Sequence, residues 1–390
     1  MQITTNREQL YGAYAWYHQM RETQPTFLDP DWGSVHVFRY ADVVRVLSDH
    51  TTFSSDQSHG PEAFSDQSPI SSSILYMDPP RHRQMRSLVS QAFTPRMVTH
   101  MEARITEITN ALLDQVQAQG EMDVIKDLAY PLPVTVIAEL LGIPTERRDD
   151  FKRWSDALVA GGEEITEEES KALFEEIGGM FGYFSDVLDE RRRHPQSDLV
   201  SALLAAEVDG EHLSDQELLG FCGLLLVAGN ETTTNLIGNL ILCLDENPGA
   251  VERLRANRAL VPGAIEEALR YYSPIKTIPR YTTTETTICG QRVEAGQVVI
   301  PWFSSANRDE AEFPAADQFD IEREPNRHVG FGRGIHYCLG APLARLEAKI
   351  ALNALLDRLP GTWHVSDVPL EPIKSFLVFG TKNLPLSWGA

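Results

Sequence analysis

The sequence contains little cysteine, and its cysteines are far apart. They are Cys222, Cys243, Cys289 and Cys338, and no two of them form the CxxC pair that structural zinc sites use. The chain also has no apolar run of transmembrane length, and its first residues are polar rather than apolar. We therefore expect a cytoplasmic protein with reduced thiols and no membrane anchor.

Basic residues are also scarce. Thirty-four Lys and Arg stand against 56 Asp and Glu, which gives a formal net charge of −22. A strongly negative surface keeps a protein soluble and repels nucleic acid and anionic lipid. Nucleic-acid binding is therefore excluded from the functions we consider. The apolar content of 42% is ordinary for a globular protein and allows a large buried core.

Helical patterns fill the middle of the chain, and one of them is unusually long. It begins at Ser214, whose spacing to Glu217 matches a capping box, and it runs without proline to Asn247. A helix of roughly 34 residues spans about 50 Å at 1.5 Å per residue, enough to cross a domain. Its centre, residues 224–229, is apolar, which predicts a helix buried on all sides.

Strand patterns are short and lie near the two ends of the chain. They occur at residues 35–38, between 281 and 302, and from 376 to 388. Residues 54–73 are rich in Ser, Gly, Pro and Asp, a composition typical of a linker. The fold class predicted from these patterns is mainly α with small β-sheets.

Cys338 lies in the glycine-rich stretch Phe331–Gly340. Glycine lets a backbone turn tightly and approach a flat object closely. A lone cysteine in such a turn can offer one thiolate to one metal, and haem iron is the metal that this arrangement suits. A helix predicted after Gly340 would direct free N–H groups toward the sulfur. The alternative is a buried structural cysteine in a glycine turn.

The stretch Phe331–Gly340 resembles the haem-binding signature of the cytochrome P450 superfamily. Three further motifs agree with that family in order along the chain. Residues 228–233, Ala-Gly-Asn-Glu-Thr-Thr, resemble its oxygen-activation motif, and Glu267–Arg270 resembles its Glu-x-x-Arg motif. Residues 78–86 resemble the helix that contacts the haem propionates in bacterial members. A Glu-x-x-Arg spacing alone is common on helices, so the ordered set carries the resemblance.

The resemblance covers essentially the whole chain and implies one cytochrome P450 haem domain over residues 1–390. In that fold haem b, iron protoporphyrin IX, lies between a long central distal helix and the helix that follows the proximal cysteine loop. Cys338 would be the metal ligand. We expect a monomer.

The resemblance also assigns roles to individual residues. Glu231 and Thr232 would be catalytic, with Thr232 positioning a water and Glu231 relaying protons to the distal oxygen. The alternative is a polar interruption of a buried helix, in which each group is satisfied by its neighbours. Glu267 and Arg270 would form a buried structural ion-pair network with Arg323.

Cofactor and substrate contacts follow from the same resemblance. The cofactor-binding residues would be His82, Arg86, Ala228, Arg280, Phe331, Gly332, His336, Cys338 and Gly340. The substrate contacts, mostly apolar, would be Ile74, Leu75, Leu225, Ala228, Ile275, Ile278, Leu377 and Val378. For each substrate contact, plain core packing is the alternative. Residues 54–73 would then be a mobile substrate lid rather than a linker.

The implied function is a haem-thiolate monooxygenase that inserts one oxygen atom of O2 into a C–H bond. Electrons would come from NAD(P)H through a reductase and a ferredoxin that docks on basic residues such as Arg81 or Arg333. The chain is similar to the Bacillus-type branch that hydroxylates fatty acids, terpenoids and steroids. Two alternatives remain: a peroxide-driven peroxygenase, which the Glu231–Thr232 pair disfavours, and a non-catalytic haem gas sensor.

Overall fold

The structure is a computed structural model that describes residues 6–61, 69–159 and 166–389. Its helices are α1 Asn6–Thr23, α2 Tyr40–Ser48, α3 Arg81–Ala92, α4 Pro95–His100, α5 Glu102–Val116, α6 Pro131–Leu140, α7 Arg148–Val159, α8 Glu167–Arg193, α9 Leu199–Ala205, α10 Asp215–Glu246, α11 Pro248–Ala256, α12 Val261–Tyr271, α13 Phe303–Ala306 and α14 Ala341–Arg358. Its strands are β1 Thr26–Leu28, β2 Val35–Val37, β3 Phe53–Ser54, β4 Glu121–Asp123, β5 Arg280–Thr282, β6 Thr286–Ile288, β7 Gln291–Val293, β8 Val298–Pro301, β9 Trp363–Val365 and β10 Pro385–Trp388. The predicted mainly helical class with small sheets is confirmed.

The chain divides into two compact units. The first comprises Met1–Ser65, Ile105–Tyr130 and Thr232–Ala390, and the second comprises Asp66–Arg104 and Pro131–Glu231. Among the described residues, the helices all fall short of the combined length and hydrophobicity that a bilayer crossing requires.

The first unit contains the sheets. Its five-stranded sheet has the order β1-β2-β8-β5-β3, and only the β2–β8 pair is parallel, with Val35 opposite Val299. The strands are buried because valines of β2 and β8 pack with valines of α2 and with Phe303 in one apolar cluster. A second sheet has the order β4-β10-β9. The predicted strands at 281–302 are confirmed, whereas the tail predicted at 376–388 is a strand only at Pro385–Trp388.

The hairpin β6–β7 accounts for Cys289. Cys289 has φ 47° and Gly290 has φ 80°, so both residues of the turn are in the left-handed region that two-residue hairpins need. The Cys289 thiol donates to Oδ2 of Asp42 over 2.8 Å. Burial, followed by this carboxylate, raises the pKa of the thiol. Cys289 therefore has a local structural contact.

The second unit is helical and contains the long helix α8 and the first half of α10. Thr166 and Glu169 form a reciprocal capping box at the start of α8. The predicted capping box of α10 is present too, because Ser214 N donates to Glu217 Oε2 over 2.9 Å and Glu217 N donates to Ser214 Oγ over 3.3 Å. The helix, predicted from Ser214 to Asn247, has 32 residues.

Candidate functional site

The cysteine loop is a set of tight turns closed by backbone hydrogen bonds. Gly332 and Gly334 both have φ 69°, a conformation that side chains rarely adopt. Cys338 N donates to Phe331 O over 2.9 Å and closes the loop. A Cβ at Gly334 would lie 2.7 Å from Leu47 O, so this glycine also permits a close backbone contact. The backbone conformation therefore requires glycine at both positions, and the close contact requires it again at Gly334.

The loop delivers the sulfur to the start of α14. Gly340 immediately precedes the helix, and a Cβ at this position would lie 3.9 Å from Cys338 Sγ. Cys338 is half-buried and forms no disulfide. Free amides and the positive end of the helix dipole favour the thiolate over the thiol. The loop thus presents one cysteine sulfur at a helix N-terminus, which is the type of donor that a haem-thiolate centre requires.

An ion pair between Glu266 and Arg345, which none of the sequence motifs includes, packs against the cysteine loop. Arg345 of α14 donates to both oxygens of Glu266 over 2.7 and 2.8 Å, and His328 Nε2 lies 3.1 Å from the same carboxylate. The Arg345 guanidinium also lies over the Phe331 ring at 4.5 Å. Burial would raise the pKa of Glu266, but the bonds from Arg345 and His328 outweigh it and lower the pKa to about 2. The sequence showed only an acid next to Glu267.

Glu267 lies at the centre of a hydrogen-bonded network whose core is fully buried. It accepts from Arg270 Nε and Nη2 over 2.8 and 2.7 Å, and from Arg323 Nε over 3.1 Å. Asn326 Nδ2 and Asp320 N donate to the same carboxylate over 3.1 and 2.9 Å. Glu267 and Arg270 are both 0% exposed. The structure thus brings the three predicted residues together with additional donors that satisfy the carboxylate.

The first unit also contains two of the basic residues that were predicted to bind the cofactor and that could contact its propionates. Arg280 of β5 is buried, and its Nη1 donates to Pro279 O over 2.9 Å. His336 is half-buried on the 3-10 turn Gly334–His336, two residues before Cys338. A buried guanidinium is suited to a carboxylate because of its bidentate fork. A cysteine sulfur in the same unit as a guanidinium and an imidazole is a donor set whose chemistry fits a haem with two propionates.

The remaining two cations, His82 and Arg86, lie on α3 of the second unit. Their spacing of four places them on one face of the helix. His82 is 3% exposed and Arg86 is half-buried, so His82 is not the ordinary surface histidine that its type alone suggests. Arg81 at the start of α3 donates to both oxygens of Glu217 over 2.6 and 2.5 Å, so this proposed docking residue is in an ion pair.

On one face, called its open face below, the middle of α10 is only partly covered by protein atoms, whereas the sequence pattern predicted protein on all sides. Ala228 is exposed, and Leu224, Leu225 and Glu231 are half-buried. At 100° per residue these positions share one side of the helix, and Thr232, also half-buried, lies beside them. Leu226, Asn230 and Thr233 on the other side are buried. The helix therefore presents an apolar face that ends in an acid and an alcohol.

The closed side of α10 explains two of its motif residues. Asn230 is completely buried and its Nδ2 donates to Ser155 Oγ of α7 over 2.6 Å. A Cβ at Gly229 would lie 2.7 Å from Ile137 Cδ1 of α6, so the glycine permits close packing of this helix. The backbone stays α-helical through Thr232, without the local opening that threonine can cause.

The predicted substrate contacts divide between the two units. In the first unit Ile275 pairs with Val378 in an antiparallel bridge, and Phe379 N donates to Pro274 O over 2.8 Å. Ile275 and Ile278 pack against the apolar cluster of β2 and β8, whereas Leu377 is 43% exposed. In the second unit Ile74 is buried and Leu75 is half-buried on the 3-10 turn Ile74–Tyr76, and Leu225 and Ala228 lie on the open face of α10.

The predicted lid, residues 54–73, is only partly described. Its described parts contain the end of β3 and the short 3-10 turns Gln57–His59 and Pro69–Ser72. Asp56 caps the first of these turns, since Ser58 N donates to Asp56 Oδ1 over 2.9 Å. Residues 62–68 lie outside the described residues. Whether the segment is mobile stays a prediction.

Comparison with known proteins shows which family this chain resembles. The family model for cytochrome P450 matches residues 1–388. Cytochrome P450 109 of Bacillus spizizenii is 45% identical over 378 residues, which are 95% of this chain and 90% of the relative. The erythromycin C-12 hydroxylase of Saccharopolyspora erythraea is 40% identical over 383 residues, 96% of this chain and 94% of that protein.

The fold agrees with crystal structures of the same family. Substrate-free CYP109E1 of Bacillus megaterium superposes with a TM-score of 0.91 at 42% identity, covering 97% of this chain and 99% of that one. The same enzyme in complex with testosterone superposes with a TM-score of 0.87 over the same shares of both chains. The expected fold is therefore confirmed.

Proposed function

The chain belongs to the cytochrome P450 family, and from that premise we propose that it hydroxylates a hydrophobic small molecule of the steroid, terpenoid or fatty-acid type. Membership makes it a monooxygenase enzyme, since named relatives are hydroxylases and epoxidases of this family. The finer proposal is that residues 1–390 act as one monomeric haem domain fed by a ferredoxin and its NAD(P)H-dependent reductase.

The observation that carries the proposal is the open face of α10. Leu224, Leu225 and Ala228 offer apolar contacts, and the ionisable Glu231 follows about one turn later on the same face. Sites for hydrophobic ligands combine an apolar lining with a few placed polar groups. The half-exposed Leu377 and the Ile275–Val378 pair offer similar contacts on the first unit. Both surfaces therefore suit an apolar substrate.

Cys338 is proposed as the residue that would hold the haem iron. Haem bound through a thiolate supplies activation of O2 and cleavage of its O–O bond. The protein's part is to keep the sulfur anionic and correctly placed. The turn closed by the Cys338 N–H bond to Phe331 O fixes its position, and the N-terminus of α14 favours its charge.

Glu231 and Thr232 are proposed to deliver protons. The Thr232 hydroxyl can donate one hydrogen bond while accepting another, so it can hold a water at the helix surface. The Glu231 carboxyl beside it can pass a proton to that water and recover one from solvent. Arg280, His336, His82 and Arg86 are proposed to bind the propionates and so fix the ring. Each of these roles concerns a side chain that is buried or half-buried.

Names of relatives support a hydrophobic substrate without identifying it. CYP109E1 has been crystallised with testosterone and with corticosterone, and another relative is an erythromycin hydroxylase. For the redox partner, Arg333 is exposed beside the cysteine loop, whereas Arg81 is held by Glu217. We therefore propose Arg333 rather than Arg81 as a contact for an acidic ferredoxin.

The test is turnover in a reconstituted system. The purified haem protein is mixed with a ferredoxin, its reductase and NADPH, and a panel of steroids, terpenes and fatty acids is analysed for hydroxylated products. We expect at least one panel member to accelerate NADPH consumption and to yield product. A parallel sample receives hydrogen peroxide alone. Equal turnover with low peroxide would establish the peroxygenase instead, and no product under any condition would favour the gas sensor.

A further inference from the structure

Lys276 links two of the proposed substrate-contact segments through its backbone. Its N–H donates to Leu377 O over 2.7 Å, and its carbonyl accepts from Phe303 N over 2.7 Å. The neighbouring pair Ile275 and Val378 form an antiparallel bridge. The main chain at Lys276 is therefore fixed between the turn at residues 375–378 and the start of α13, and its side chain starts from a defined position.

The ammonium group of Lys276 has few partners. Its Nζ donates to Ser375 O, and among the described residues no carboxylate lies within ion-pair distance of it. The side chain is half-buried, and burial lowers the pKa of the amine with no charged neighbour contributing. An ammonium carries three N–H donors, so one carbonyl leaves donor capacity for another acceptor.

Apolar residues lie close to Lys276 along the chain and follow Ser375, whose carbonyl accepts from its Nζ. Phe376 and Leu377 are 50% and 43% exposed on the same turn, and Ile275 lies next to Lys276 in sequence. Holding a desolvated cation without a counter-ion is unfavourable, and a ligand anion would remove that cost. A positive charge beside exposed apolar groups matches a molecule with one anionic end and a long apolar body.

We propose that Lys276 binds the carboxylate of a long-chain acid whose hydrocarbon body contacts Leu377 and Phe376. The inference rests on the proposed function, because it takes the segments at 275–278 and 375–378 as substrate contacts. It narrows the proposed substrates to amphipathic acids and makes Lys276 a residue that determines specificity. The ligand carboxylate becomes the counter-ion that the described protein residues do not supply.

A purely structural role is the competing explanation. Ser375 Oγ accepts from Leu377 N and Val378 N over 3.2 and 3.1 Å, so the turn has its own internal cap. Lys276 adds one bond to the carbonyl of the same serine. If that bond were the whole function, any uncharged donor of similar length would replace the lysine, and ligand charge would not matter.

The experiment compares an acid with the matching alcohol. Dodecanoic acid and 1-dodecanol are titrated into the haem protein, with the haem absorption shift and calorimetry as readouts. Wild type is compared with Lys276→Met, Lys276→Gln and Lys276→Arg. We expect Met and Gln to bind the acid about 10- to 100-fold more weakly, the effect of one charged hydrogen bond, with Arg close to wild type and the alcohol unaffected by all three.

Three outcomes would contradict the proposal that Lys276 binds the carboxylate of the substrate. Equal weakening of acid and alcohol would leave only the structural role, and wild-type acid affinity in Lys276→Gln would show that the charge is not used. Failure of the wild type to bind the acid would also overturn it. The proposed function would survive each of these if a steroid or terpene still bound and was hydroxylated, so the two failures are distinguishable.

Discussion

The cysteine loop and the middle of α10 are built in opposite ways. The loop is irregular backbone held by positive-φ glycines, by closing hydrogen bonds and by the Glu266–Arg345 pair. The α10 segment is regular helix with one side packed and one side open. The backbone of the loop is held by several hydrogen bonds, whereas the side chains on the open face of α10 are only partly covered by protein.

This contrast predicts two kinds of mutant. Changes in the loop and in the Glu267 network should remove the cofactor or the fold, because their partners are buried and cannot be replaced by water. Changes on the open face should leave fold and cofactor intact and alter the chemistry. The following experiments test the contrast, beginning with the largest expected effect.

Replacing the sulfur should have an all-or-none effect. We expect Cys338→Ala to abolish the thiolate-type absorption of the ferrous carbonyl complex and, with it, product formation, because the described loop offers no second thiol. The measurement is the ferrous-carbonyl difference spectrum. Cys289→Ala is the matched control, since this thiol lies on an exposed hairpin turn and should be dispensable. A normal spectrum in Cys338→Ala would assign the ligand elsewhere.

Breaking the buried network should destabilise the protein strongly. Glu267→Gln leaves Arg270 and Arg323 without their carboxylate, and stranding a buried charge costs roughly 3–5 kcal/mol. We expect a lower urea midpoint together with loss of haem on gel filtration.

Glu285→Gln is the control for that network. Glu285 pairs with Arg292, and both side chains are more than half exposed, so the change should cost at most about 1 kcal/mol. Similar losses of stability in the two variants would show that the buried network contributes no more than a surface ion pair.

Removing the Thr232 hydroxyl from the open face should lower the amount of product formed per NADPH oxidised and change little else. We expect Thr232→Ala to keep the thiolate spectrum and the urea midpoint, while product formed per NADPH falls by about tenfold, a modest share of the usual gain from positioned proton transfer. Hydrogen peroxide should rise in proportion. Thr233→Val is the control because Thr233 is buried on the other side of α10. Unchanged coupling in Thr232→Ala would remove this residue from the relay.

The sequence predicted most of the fold for local reasons. The bounds of α10 followed from the Ser214–Glu217 capping box and from the proline after Asn247, both of which act within one or two turns. The turn before α14 followed from its glycines. Predictions were less accurate where distant residues decide the result. The strands expected at 376–388 shrank to β10, because the turn at Ser375 pairs with residues near 275 instead.

The candidate site, like the fold, combines features that local sequence predicts with features that depend on distant residues. Motifs indicated Cys338 as the candidate ligand and Glu267 as a network residue, because such residues have fixed types at fixed spacings. They could not show that Gly229 faces Ile137, that Glu266 binds Arg345 or that, among the residues the structure describes, no carboxylate pairs with Lys276. Each of these depends on which segments meet in space, and the intervening chain carries no periodic pattern that specifies the pairing.

The smallest expected effect concerns Glu266, the outer support of the loop. Its pKa is about 2 in the folded protein, below the usual value, so its ionised form stabilises the fold. A lowered carboxyl pKa contributes stability that is complete above the unfolded pKa of about 4.3 and is lost as pH falls toward the folded value. The sensitive window is therefore between about pH 5 and pH 2.

Solvent reduces the size of this contribution. The Glu266 and Arg345 side chains are 30% and 35% exposed, so we expect about 1 kcal/mol rather than the full value of the shift. Between pH 5 and pH 3 the wild type should lose this much more stability than Glu266→Gln, as measured by urea midpoints at each pH. Arg345→Met should flatten the dependence in the same way, because it removes the donor that lowers the pKa. Parallel pH profiles in all three proteins would mean that the loop does not depend on this pair, and the contrast with α10 would then rest on the glycine turns and the Glu267 network.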